Sequence, residues 1–181
     1  MIIIPVNNKI SSVSFYHLIN KVYVMRKFDK QDRTILELVQ RDATLSVAEI
    51  AERIFISKSA CWRRIQSLQD DGIITQKVTL LDQKKINLST TAYIVVRTNQ
   101  HNDDWAKKFK DIVEDIPEVI EVYRMSGDID YLIKAVVADL EGYDRLYQKI
   151  IKVDLFDVSC SFVMENIKQT TELPLTCLNL S

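Results

Sequence analysis

The chain has 181 residues, 47% of them hydrophobic, and a net charge of −1, which is enough apolar material for two small cores of roughly 60 and 90 residues and excludes a disordered chain. The near-zero total conceals an asymmetry: residues 1–24 carry +2, residues 25–88 carry +3 and residues 89–181 carry −6. A mildly basic first half ahead of an acidic second half suits a polyanion bound through one face, although ordinary solvated surface charge produces the same count. Cys61, Cys160 and Cys177 form no CxxC pair, and His17 and His101 stand apart from them. This excludes a zinc site and a disulfide framework, implies no cofactor, and points to a reducing cytoplasm. No signal peptide or membrane span is expected, because Pro5, Asn7, Asn8 and Lys9 interrupt the opening apolar run.

Residues 1–24 have no acids and no clear period, and read as an N-terminal extension: a disordered arm, or a mis-assigned start ahead of Met25. Asp29, with Asp32 in the first turn, caps a helix that runs through Ile35, Leu36, Leu38 and Val39 to about Arg41. Ser46 and Glu49 form a capping box for a second helix, whose inward positions are Val47, Ile50, Ala51 and Ile54. After a three-residue corner, Ser57 caps a third helix that keeps Cys61, Ile65 and Leu68 for the core. Asp70, Asp71 and Gly72 end it, and Ile73 and Ile74 begin an extended run suited to a wing. Residues 25–76 are therefore expected to be a winged helix-turn-helix. Residues 77–88 are the linker, with Leu80 and Leu81 as anchors and Lys84 and Lys85 exposed.

The second half, 89–175, alternates regularly. Residues 91–98 read as a strand and 103–116 as a helix with Trp105, Phe109, Ile112, Val113 and Ile116 at helical spacing, stopped by Pro117. Strands at 119–125 and 131–137 flank a tight connection, Asp139 caps a helix through Leu140, Tyr143, Leu146, Tyr147 and Ile150, and 158–164 is a fourth strand. The order βαββαβ is the ferredoxin-like split βαβ, so the fold class is α+β. Such a sheet leaves one face open, and small regulatory domains commonly bury it against a second copy, so dimerisation is expected.

The third helix carries Lys58, Ser59, Trp62, Arg63 and Gln66 away from its core stripe, and these are the candidates for a DNA interface. Arg63 can bond bidentately to guanine in the major groove, while Lys58 and Arg64 are expected to hold phosphates. Ser59 and Gln66 read base edges or are simply solvated. Trp62 packs on the second helix, covers the sugar backbone, or joins the core. An enzyme is not expected: no Gly-rich loop, HExxH or GxSxG motif is present.

Phe28, Asp29, Asp32, Ile35 and Leu36, then Ser57, Arg64, Leu68 and Gly72, then Ser126, Gly127, Asp128, Asp130 and Tyr131 together resemble the Lrp/AsnC (feast/famine) family of transcription regulators. The resemblance covers about residues 25–175. It implies a winged helix-turn-helix, a ferredoxin-like effector-binding and oligomerisation domain, dimers associating into octamers or other even assemblies, and an amino acid or related metabolite bound between subunits. It also implies an effector site at Met125, Gly127, Asp128, Asp130 and Tyr131. There, backbone N–H groups receive an α-carboxylate, Asp128 or Asp130 accepts from the ammonium, and Met125 forms an apolar wall. A hairpin turn whose carboxylates satisfy only local N–H groups is the competing reading. One departure is visible at Phe55 and Ile56, where the family usually has a glycine before the recognition helix, so that turn is expected to be tighter or differently packed. The reading is a cytoplasmic, sequence-specific DNA-binding regulator; the alternative is a ligand-independent, constitutive or architectural DNA-binding protein.

Overall fold

The computed structural model describes residues 26–178, so the expected extension at 1–24 lies outside the described residues. The chain divides into two units. The first contains α1 (Lys30–Arg41), α2 (Val47–Arg53) and α3 (Lys58–Asp70), with Ile35, Leu36, Ile50, Ala51, Cys61, Ile65 and Leu68 as its buried core. Each helix starts where its cap dictates. Asp29 accepts from the Asp32 N–H at 2.8 Å and Ser46 exchanges bonds with Glu49, both complete capping boxes, and Ser57 accepts from the Ala60 N–H.

The corner between α2 and α3 bears on the missing glycine. Phe55 sits at φ 57 and is 93% exposed, so the turn keeps the left-handed geometry glycine would supply, and an aromatic residue bears the strain. Gly72 closes α3 at φ 69, as expected of a residue ending a helix. Ile73 and Ile74 then pack on the first core, but the run beyond them forms no strand among the described residues. A lone ribbon with no strand to pair against gains too little to hold its shape. Leu80 and Leu81 are exposed, which corrects the expectation that they anchor the linker.

The second unit, Val78–Gln169, builds β1 (Thr90–Arg97), α4 (Asp103–Glu114), β2 (Val119–Arg124), β3 (Tyr131–Val137), α5 (Leu140–Ile150) and β4 (Asp157–Phe162). The four strands form one antiparallel sheet in the order β2-β3-β1-β4, the ferredoxin-like arrangement the sequence implied. Ala92, Ile94 and Val96 of β1 and Ile133, Ala135 and Val137 of β3 face the helices, where Trp105, Phe109, Leu146 and Ile150 cover them. The opposite face carries Tyr93, Val95, Leu132 and Lys134, only partly buried, and Lys134 pairs there with Glu121 at 2.7 Å.

The expected end of the second domain at 175 shifts, because residues 170–178 fold with the first unit. The Gln40 side chain bonds both ways to the backbone of Leu173, Nε2 donating at 3.2 Å and Oε1 accepting at 2.8 Å. Arg41 pairs with Glu172 at 3.0 Å, and Leu175 and Leu178 pack against the first core. Two leucines and one glutamine thus return the tail to α1, a contact between residues more than 130 positions apart.

Candidate DNA interface and effector hairpin

Burial of Cys61, Ile65 and Leu68 turns the other side of α3 outward. Lys58, Ser59, Trp62 and Arg63 are all exposed there, and Gln66 is half-buried with its amide donating to Asp70 at 2.9 Å. Arg63 makes no ion pair or hydrogen bond among the described residues, so its planar fork of donors is available. Trp62 is 55% exposed, which removes it from the core and leaves its indole beside Val47, Lys58 and Ser59.

The neighbouring arginine does something else. Nη1 of Arg64 lies 2.7 Å from Asp29 Oδ2 and 2.8 Å from Asp32 Oδ1, and the Asp32 side chain is only 5% exposed. Arg26 adds a guanidinium 3.6 Å from Asp32, bonds Ser67 at 2.8 Å and pairs with Asp71. Burial raises the Asp29 carboxyl, but the Asp32 N–H and the Arg64 guanidinium outweigh it and hold its pKa below the usual carboxylate range. Burial likewise works against the charge on Arg64, and its bonds to Asp32 and Asp29 more than restore it. Arg64, expected to hold a phosphate, is thus committed to clamping α3 against α1. The reason is geometric: position 64 lies between the core stripe and the exposed front, facing the acidic first turn of α1.

In the second unit, the connection between β2 and β3 is a closed hairpin. The Met125 N–H donates to the Asp130 carbonyl at 2.8 Å, and Gly127 takes φ 121, a conformation open to glycine. Asp130 already has work: its carboxylate accepts from the Thr98 N–H at 2.8 Å, and its own N–H donates to Val96 at 3.1 Å, tying the hairpin to the end of β1. Tyr131 packs half-buried against the core, its ring tilted 4.6 Å from Phe109 and 5.8 Å from Trp105. Met125, Gly127 and Asp128 are exposed at the tip, and the Asp128 carboxylate has no partner among the described residues. The five expected effector residues therefore share one hairpin but split into exposed groups and committed ones.

Sequence reading missed Arg97. Its Nε donates to the Asp128 carbonyl at 2.9 Å and its Nη1 reaches Asp157 at 2.5 Å, so it joins the hairpin to β1 and β4. The only signal for it was a charge at the end of an otherwise apolar strand. Also unforeseen is a groove between α4 and β2 lined by Phe109, Val113, Ile120, Val122, Arg124 and Tyr131; of the expected effector residues only Tyr131 reaches it. Among the described residues no cluster of side chains fits a metal ion, and no helix is long and apolar enough to cross a membrane.

A helix-turn-helix with an exposed basic reading helix, followed by a ferredoxin-like sheet with a pinned hairpin, defines a two-domain DNA-binding regulator. Family comparison agrees in both halves: residues 28–75 match a winged helix-turn-helix DNA-binding model and residues 91–173 the Lrp/AsnC ligand binding domain. The chain is 50% identical over 153 residues to the glutamate uptake regulatory protein of Zymomonas mobilis, covering 84% of this chain and 93% of that one. Among solved structures it resembles an AsnC family transcriptional regulator from Agrobacterium tumefaciens, at 48% identity and a TM-score of 0.78, covering 82% of this chain and 97% of that one. It also resembles a transcriptional regulator from Neisseria meningitidis in complex with L-Met, at 33% identity and a TM-score of 0.78, covering 83% and 98%. The chain belongs to the Lrp/AsnC family of transcriptional regulators.

Proposed function

We propose that Arg63, Lys58, Ser59, Trp62 and Gln66 read pseudo-palindromic DNA from paired heads in successive major grooves, and that an amino acid bound at the β2–β3 hairpin modulates that binding through assembly. The observation that carries the reading is the division between adjacent arginines: Arg64 is spent inside the head, while Arg63 stands exposed and unpaired on the front of α3. Arg63 contacts a guanine edge and Lys58 a phosphate. At the hairpin, the Asp128 carboxylate accepts from the effector's ammonium and the backbone N–H groups around Gly127 receive its carboxylate, with Met125 against the side chain. The relative crystallised with L-Met supports an amino acid as the ligand class. The open sheet face supports a homo-oligomer of even number, and three unbridged cysteines suit a reducing cytoplasm.

A ligand-independent regulator is the second reading, favoured by the Asp130 carboxylate being already engaged by Thr98. Light scattering coupled to size exclusion, with a panel of the twenty amino acids, separates the two. A change of mass or operator affinity with one or a few of them, abolished in Asp128→Ala with DNA binding retained, is expected. A normal response in Asp128→Ala removes that residue from the site, and indifference of both mass and affinity to all twenty leaves the ligand-independent reading.

A further inference from the structure

The recognition helix carries one side chain whose placement neither the core nor the charge of the head accounts for. Trp62 directly follows the buried Cys61 but stays 55% exposed. One turn back, Lys58 and Ser59 occupy the same side, and Val47, the first residue of α2, comes half-buried to meet them. The four residues line an open cleft whose surface is almost wholly apolar although two of the four are polar, so Lys58 and Ser59 turn carbon toward it. The cleft lies at the N-terminal end of α3, the part of a recognition helix that reaches base edges, and Lys58, one of its four lining residues, brings a positive charge to it.

Two kinds of apolar group on a duplex could occupy such a cleft, a deoxyribose and a base-edge methyl, and its place at the N-terminal end of α3 favours the base edge. Phosphates are charged, and the major-groove edges of guanine, adenine and cytosine present acceptors and donors that an apolar wall leaves unpaired. Thymine alone offers an apolar group there, its C5-methyl. The cation fits the same geometry, because a phosphate flanks every base and Lys58 would meet it as the methyl enters. We propose that the cleft of Val47, Lys58, Ser59 and Trp62 is a thymine-methyl pocket, so that Trp62 is a specificity-determining residue which demands thymine at one position of each half-site. The proposal rests on the reading that α3 binds DNA.

The test uses the full-length protein and a duplex selected by it from a random pool. Each thymine pair related by the half-site symmetry is replaced in turn by deoxyuridine, which deletes only the methyl group. Burying one methyl is worth about 0.8 kcal/mol, so wild type should lose about fourfold in affinity per half-site at one position and nothing elsewhere. Trp62→Ala should bind thymine and uracil versions of that site alike. If wild type binds the selected duplex but no replacement weakens it, the proposal is overturned while the DNA-binding reading stands. A Trp62→Ala loss that is equal on every sequence, with the methyl dependence intact, overturns it too and returns Trp62 to the sugar backbone. If no duplex is preferred over random DNA, the underlying reading itself falls. The uracil scan on wild type needs no variant to fold.

Discussion

The front of α3 and the β2–β3 hairpin are both exposed polar surfaces, and they are built in opposite ways. On α3 the charges that hold the helix in place are separate from those that face outward. Asp29, Asp32, Arg26 and Arg64 lock it to α1, leaving Arg63 and Lys58 unspent, while the Ser59 hydroxyl meets that of Ser57 at 3.2 Å. In the hairpin the same residues would do both jobs. Asp130 anchors β1, Tyr131 packs against the core, Arg97 is drawn to the Asp128 carbonyl, and only the Asp128 carboxylate and a few tip groups remain. One chain can therefore present a complete surface on α3, which suits the nucleic-acid role proposed for it because a duplex supplies its own shape and charge. A small zwitterion needs walls on several sides, which a protruding hairpin does not provide alone.

The widest gap in this contrast is between consecutive arginines. Arg63→Ala is expected to weaken binding to a selected operator by roughly tenfold or more, since a bidentate arginine–guanine contact is worth about 1–3 kcal/mol. It should relax preference at one position, leave random-sequence DNA nearly unaffected and leave the melting temperature unchanged. Fluorescence anisotropy on specific and random duplexes checks this, and equal losses on both would erase the distinction.

Arg64→Ala should act first on stability, by about 2 kcal/mol, because it leaves the buried Asp32 carboxylate with only the Asp29 N–H at 3.4 Å and the more distant Arg26. Chemical denaturation of the head's transition measures it. The sign with pH is set by Asp29, whose pKa is lowered in the fold. Its contribution is complete above the ordinary carboxylate value and is lost as pH falls through the lowered one, so wild-type and variant stabilities should converge in acid. A pH-independent gap would mean that the ion cluster is not the source.

The smallest effect concerns the turn that aims α3. Phe55→Gly should stabilise the protein by about 1 kcal/mol, since glycine takes a positive φ without the steric cost an aromatic residue bears there. A destabilised variant would show that the exposed ring contributes more than its strain removes.

The sequence by itself determined the elements and their order. Caps at Asp29, Ser46, Ser57 and Asp139 set helix starts, and apolar periods of 3.6 and 2 separated α4 and α5 from the strands, because these signals act within a few residues of one another. The exposed stripe on α3 was legible for the same reason, once Cys61, Ile65 and Leu68 claimed the core. Only the tertiary structure decided which of two adjacent arginines is spent internally, that Trp62 stays out of the core, that Asp130 and Arg97 pin the hairpin, and that Leu175 and Leu178 return to the first unit. Each of those outcomes depends on partners tens of residues away. The type of a side chain declares that it needs an ion pair, an acceptor or a cover, and packing alone chooses which distant group supplies it.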